Sequence, residues 1–298
     1  MKPIRRRWNW QLHGVLLVLY IAGFAAGIPF VLSVQEYTSA QDVWIDIFQG
    51  FLPGVAILAL GLMLSTSTGL GTPFIENWLY KEPKRPPLRL VVSLSVLVVI
   101  ATSFILVCLR QISAVLAIAF GADLSAVVSD STDFLSNYPE TWKWLFVSFH
   151  AGVIEEIMFR LGLMNLLVWI GNRLVSANKK PSRRAVIWIA NLIAAFVFGA
   201  FHLVGVLPVP DVLFAKASVV VQNALVGLVF GWFFWKFGLE SAMLTHFLLD
   251  VFFYVVMIPV LMTANFALIL AWLVITAIAL VVSFKEFSKS RKERAWQK

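Results

Sequence analysis

Residues 150–160, His-Ala-Gly-Val-Ile-Glu-Glu-Ile-Met-Phe-Arg, set two adjacent carboxylates, Glu155 and Glu156, and one guanidinium, Arg160, among apolar neighbours. A carboxylate held in apolar surroundings is a candidate general base, and one paired with Arg is a candidate support for it. On a helix Glu156 and Arg160 stand i, i+4 and can pair along one face. Glu155 is turned ~100° from that pair and needs another partner. Taken alone, the pattern also fits a structural ion pair with a spare acid.

Two further patterns supply candidate partners. Phe198 and His202 form an FxxxH spacing beside the small residues Gly199 and Ala200, which admit a close neighbour. The bland reading of His202 is an interfacial anchor at a helix end. His246 and Asp250 are again i, i+4 and share a helix face. Alone they fit a histidine whose tautomer a carboxylate fixes. Together, an acid and two histidines on separate helices make one catalytic hypothesis. His13, beside the basic start of the chain, is interfacial, and His150, ~140° around the helix from Glu155, has no assigned role.

The elements that must position these residues are membrane helices. Of 298 residues 60% are hydrophobic and 13% charged, and the mean hydropathy is +0.86, more than one soluble core requires. Apolar runs of spanning length predict about eight helices, near 12–32, 44–64, 88–110, 142–171, 185–206, 212–235, 241–261 and 264–284. The expected fold is all-α, one polytopic bundle over 1–298; the runs do not alternate as barrel strands would. The first run is too long for a signal-peptide core and is expected to stay as a helix. The lone cysteine, Cys108, offers neither a disulfide nor a cysteine metal cluster.

Charge placement predicts the topology. With the N-terminus inside, the inside segments hold 20 of the 24 Lys and Arg, while Glu36, Asp42, Asp123, Asp130, Asp133 and Glu140 lie opposite. Only Lys143 and Lys216 break the pattern, Arg110 and Arg160 being within helices. The positive-inside rule then puts both termini in the cytoplasm, in a plasma membrane of bacterial type. Lys81–Pro87 is expected to be a solvated cytoplasmic loop, and the basic tail after Ser283 to lie near anionic headgroups. The net charge of +8 follows membrane topology, so the lipid bilayer, and no nucleic acid, is the expected surface partner.

The ordered set EEIMFR, FGAFH and HFLLD resembles the CPBP family, the CAAX-protease and bacteriocin-processing intramembrane proteases, also called type II CAAX prenyl endopeptidases. The resemblance covers about 142–255 and includes the glycine-rich NALVGLVFGWFFWKFGLESAMLTH before the last element. It implies peptide-bond hydrolysis in a membrane-associated protein or peptide. It further implies that Glu155 activates a water with help from His202, that Glu156 and Arg160 orient and balance the site, and that His246 and Asp250 stabilise the oxyanion. The chain departs from the prenyl-protease pattern at Asp250, where Asn is expected; an ionised Asp donates no hydrogen bond and must be protonated, act through His246, or bind metal. Glu155, His202 and His246 would form a zinc set with water in the fourth place, and hydrolysis with zinc or with no cofactor both stay open. The rival functions are a noncatalytic membrane adaptor or immunity factor on the same fold, and a proton-coupled transporter with a buried relay.

One geometric tension accompanies the single-site hypothesis. Straight helices put His202 ~26 Å from the inner start of its helix and His246 only ~8 Å from the start of its own. Either the turn near Phe237–Glu240 is sunk into the protein, or the helix of His202 is shallow or tilted.

Overall fold

The computed structural model describes residues 9–35, 39–81, 86–120, 138–174, 183–204 and 213–258, with isolated positions 281 and 285. Every element among them is helical, and there are eight continuous helices. They are α1 (Trp10–Val34), α2 (Ala40–Thr68), α3 (Pro73–Tyr80), α4 (Leu88–Ala119), α5 (141–174), α6 (Arg183–Val204), α7 (Leu213–Phe237) and α8 (Leu239–Met257). Six are long and apolar enough to cross a membrane: α1, α2, α4 over Leu88–Leu109, α6, α7 and α8. The described residues are thus all helical outside their connections, and the six spans make the chain an integral membrane protein. The helix expected at 264–284 lies outside the described residues apart from position 281.

The short helix α3 falls where the sequence predicts only an inside connection. Pro73 opens it, at the position where a missing N–H costs nothing, and Lys81 ends it in a left-handed conformation. Its first N–H groups are satisfied from far along the chain, for Glu240 Oε1 accepts from Phe74 N at 3.0 Å and Ile75 N at 2.8 Å. The α7–α8 turn lies beneath it. Leu239 N donates to Gly71 O at 3.0 Å, Leu239 and Ser241 are buried, and Gly238 takes φ +95° beside Pro73. The turn is therefore sunk under α3, the first of the two geometries that a single site requires.

α5 changes character where its charges begin. It is α-helical over Thr141–Glu156, π-helical over Ile157–Met164 and α-helical again over Asn165–Leu174. A π segment leaves carbonyls displaced from the ordinary ladder; here the Asn165 side chain donates to Leu161 O at 2.9 Å and to Leu70 O at 3.3 Å. α2 presses on this segment, where a Cβ on Gly61 would stand 2.5 Å from Leu161 O. In lipid, apolar burial does not drive helices together, so such close backbone contacts hold the bundle. α6 and α7 meet in the same way, with Gly199 against the Val220 carbonyl and Ala224.

Candidate active site

The three sequence elements converge in the bundle interior. α5 brings Glu155, Glu156 and Arg160, the last turn of α6 brings His202, and α8 brings His246 and Asp250. Glu156 is the fixed centre of the support: its Oε1 lies 2.8 Å from His246 Nδ1 and its Oε2 lies 3.2 Å from Arg160 Nε. Glu156 and Arg160 are fully buried. Arg160 also donates from Nη2 to Gly227 O at 3.0 Å, and its guanidinium lies over the Phe198 ring, 4.5 Å from the centroid, with Phe230 at 5.5 Å. A planar cation can be shared in this way between carboxylate, carbonyl and ring faces, which a lysine could not match.

Glu155 stands apart from that support. Its Oε2 lies 3.9 Å from His202 Nε2 and 3.9 Å from His246 Nε2, and it is buried without a hydrogen-bond partner. The separations are too long for direct hydrogen bonds and suit a bridging water. His202 Nδ1 donates to Phe198 O at 2.8 Å, because a carbonyl can only accept. His246 Nδ1 meets the Glu156 carboxylate, so both rings present Nε2 toward Glu155. Asp250 Oδ2 lies 3.6 Å from His246 Nε2 and closes the other side.

The donor types resemble a zinc set, with each histidine oriented through its far nitrogen. The spacing does not fit one. Ligands ~2.0–2.1 Å from one tetrahedral zinc lie about 3.3 Å from each other, and no group of three His, Cys, Asp or Glu among the described residues is placed to hold a metal ion. No step below is routed through a metal.

Aromatic rings complete the site in ways the spacing of charges did not announce. Phe230 stacks on the His246 ring at 4.3 Å between centroids, and Phe198 lies edge-on to it at 5.9 Å. Phe230 and Gly227 belong to the glycine-rich stretch noted in the sequence, but Gly227 acts through its backbone carbonyl, which no side-chain pattern reveals. His150 sits elsewhere, with Nδ1 3.1 Å from Gly23 O at the α1–α5 contact. His13 meets the Asn9 carbonyl at the start of α1, at 2.9 Å.

Fold and site together define a polytopic helical membrane protein with a buried carboxylate–histidine centre. A family model described as Type II CAAX prenyl endopeptidase Rce1-like matches residues 137–252. The chain carries a domain of that family, the CPBP family, and the matched span encloses all six candidate residues. A domain of that family implies an intramembrane protease with a protein substrate. No curated protein and no solved structure matches the chain.

Proposed function

We propose that this chain is an intramembrane endopeptidase in which Glu155 activates a water against a peptide bond of a membrane-associated protein. The observation that carries this reading is the convergence of His202 Nε2 and His246 Nε2 on the unpartnered Glu155 Oε2, at 3.9 Å each. A water in that gap reaches the acid and both rings.

In the proposed reaction Glu155 takes a proton from the water as its oxygen bonds to the scissile carbonyl carbon, and the carbonyl π pair moves onto oxygen. His246, as an imidazolium between Glu156 and Asp250, keeps its proton and donates a hydrogen bond from Nε2–H to that oxyanion. Asp250 then acts through His246, which answers the departure from Asn at this position: its carboxylate balances the ring's charge and need not donate. Collapse of the tetrahedral adduct breaks the C–N bond as Glu155 returns its proton to the leaving nitrogen. His202, fixed by the Phe198 carbonyl, positions the water. Glu156 and Arg160 hold His246 and offset charge in a region where unpaired charge is costly.

Comparing membrane peptides released by the wild type, Glu155→Gln and His202→Ala tests the proposal. Products lost in both variants, with unchanged folding in detergent, are expected. Identical products from all three would overturn it.

A further inference from the structure

Burial around the candidate site is one-sided. Toward the end of the bundle that holds the α7–α8 turn, the cluster is closed by layer upon layer: Phe198, Phe230 and Arg160, then Leu161, Met164 and Phe233, each 1% exposed or less. Toward the opposite end the side chains of Glu155 and Asp250 are 20% exposed and that of His202 is 29% exposed. His202 itself stands in the final turn of α6, which ends at Val204.

The helices part on that same side. The outer half of α5, Thr141–Glu156, packs on α1 and α8, whereas α6 and α7 pack on α5 from Ile157 inward. At that level the outer part of α5 exposes the apolar side chains Leu145 and Phe146, and the end of α6 exposes Phe201 and Val204. Glu155, His202 and Asp250 are partly exposed where this wedge between the helices begins.

The two ends differ in charge. The sealed end gathers Arg173, Arg183, Arg184 and Lys236, with Arg183 Nη2 donating to the last carbonyl of α2, Thr68 O, at 2.7 Å. The open end carries Asp42, Asp46 and Glu140 against Lys143 and Lys216. One of the two cations that break the charge rule, Lys143, is neutralised where it stands, 2.6 Å from Glu140. That hydrogen bond holds the Glu140 carboxyl below the usual carboxylate range. By the positive-inside rule the sealed end faces the cytoplasm.

We infer that the cluster opens to the extracytoplasmic side and sideways into the lipid, so that its substrate is an extracytoplasmic juxtamembrane segment of a membrane-anchored protein. The substrate part rests on the protease reading; the direction of access does not. A bond in a cytoplasmic tail would have to cross the aromatic layers of Phe198, Phe230 and Phe233 to reach Glu155.

Access is tested with single thiols placed in a Cys108→Ser background. Asp250→Cys marks the start of the wedge, Asn223→Cys the face of α7 one turn outward from Gly227, and Leu174→Cys the sealed end, where Leu174 is 78% exposed. Intact cells are treated with a membrane-impermeant methanethiosulfonate, then permeabilised, and reaction is scored by mass shift. Asp250→Cys and Asn223→Cys are expected to react from outside, and Leu174→Cys only after permeabilisation. Reaction of the two wedge thiols only from the cytoplasmic side, or from neither side while the denatured protein reacts, overturns the inference. Labelling needs no turnover, so if the thiol variants label as expected while the wild type releases the same peptides as Glu155→Gln, the protease reading alone is sunk. Mapping of Glu155-dependent cleavage sites completes the test. Cuts in extracytoplasmic juxtamembrane segments support the substrate class, and cuts in cytoplasmic tails overturn it.

Discussion

His246 Nδ1 lies 2.8 Å from Glu156 Oε1, a contact that ties α8 to α5 across 90 residues of chain. It separates two adjacent acids by role. Glu156 has one oxygen hydrogen-bonded to His246 and the other in an ion pair with Arg160, whereas Glu155 Oε2 faces two histidine nitrogens at 3.9 Å, too far for a hydrogen bond. Removing Glu156 strands a buried cation; removing the charge of Glu155 strands nothing. Glu156→Ala is expected to lose roughly 3–5 kcal/mol of stability, the usual cost of breaking a buried pair, measured by reversible denaturation in micelles. Glu155→Gln is expected to keep wild-type stability and lose cleavage by about 10²-fold or more. Equal destabilisation by both variants would contradict this division.

How far the sequence revealed this arrangement depends on what kind of contact is involved. Charges placed at membrane depth stand out against apolar neighbours, so all six candidate residues were legible, as were the i, i+4 pairs Glu156–Arg160 and His246–Asp250. The tie between Glu156 and His246 was not, because it joins helices whose rotation depends on the π segment of α5, and the residues show no mark of that change in winding. α3 was missed for a related reason. Its eight residues make less than a spanning length, and the partner that completes it, Glu240, lies 165 residues away from Ile75. The conflict in depth between His202 and His246 left a sunken turn as one of two resolutions, because helix rise fixes the difference in depth and not how it is met; the buried Leu239 and Ser241 show the turn sunk.

Arg160 offers a second separation of stability from chemistry. Arg160→Met leaves Glu156 without its counter-ion and the Gly227 carbonyl without its donor and is expected to destabilise by about 3–5 kcal/mol. The double variant Glu156→Leu with Arg160→Met removes both charges and is expected to regain much of that loss. It should not regain cleavage, because His246 has lost the carboxylate that orients it. Denaturation and peptide release on the same preparations check both parts; a double variant less stable than either single one would show that the pair contributes net stability.

Gly199 tests whether the placement of His202 depends on the α6–α7 contact. A Cβ there would stand 2.3 Å from Val220 O, a backbone atom that cannot turn aside. Gly199→Ala is therefore expected to cost ~1–3 kcal/mol, as overpacking does, and to lower cleavage further by displacing Phe198 and His202. Gly14→Ala, where nothing lies within 4 Å of the new carbon, is the matched control with neither effect. Thermal stability and turnover measured side by side check the pair.

The ligand spacing at Glu155 makes a prediction about metal. With both histidine nitrogens 3.9 Å from the acid oxygen, the gap suits water better than an ion bonded at ~2.0–2.1 Å to all three. Cleavage by purified protein is expected to survive strong chelators, and metal content by mass spectrometry to stay below one equivalent. Inhibition by chelation that added zinc reverses would mean that the three side chains draw together around an ion.

Glu240 and Gly238 test whether the sunken turn sets the depth of the site. Glu240 satisfies two N–H groups at the start of α3, so Glu240→Ala is expected to cost about 0.5–2 kcal/mol, the range for losing a helix cap. Hydrogen exchange at Phe74 and Ile75 should quicken, while α8 keeps its packing through Leu239 and Ser241. Gly238 has more riding on it. At φ +95° it adopts a conformation that L side chains avoid, and a Cβ would stand 2.1 Å from Pro73 Cδ. Gly238→Ala must therefore lift α3 from the turn or move the first residues of α8, which carry His246 two turns further on. Cleavage is expected to fall more in Gly238→Ala than in Glu240→Ala at matched folded fraction, because only the first shifts the helix that bears the histidine. Equal activity in the two variants would separate α3 from the site and leave the depth of His246 to the α4–α8 contact, where Ser95 and Thr245 hydroxyls lie 2.7 Å apart.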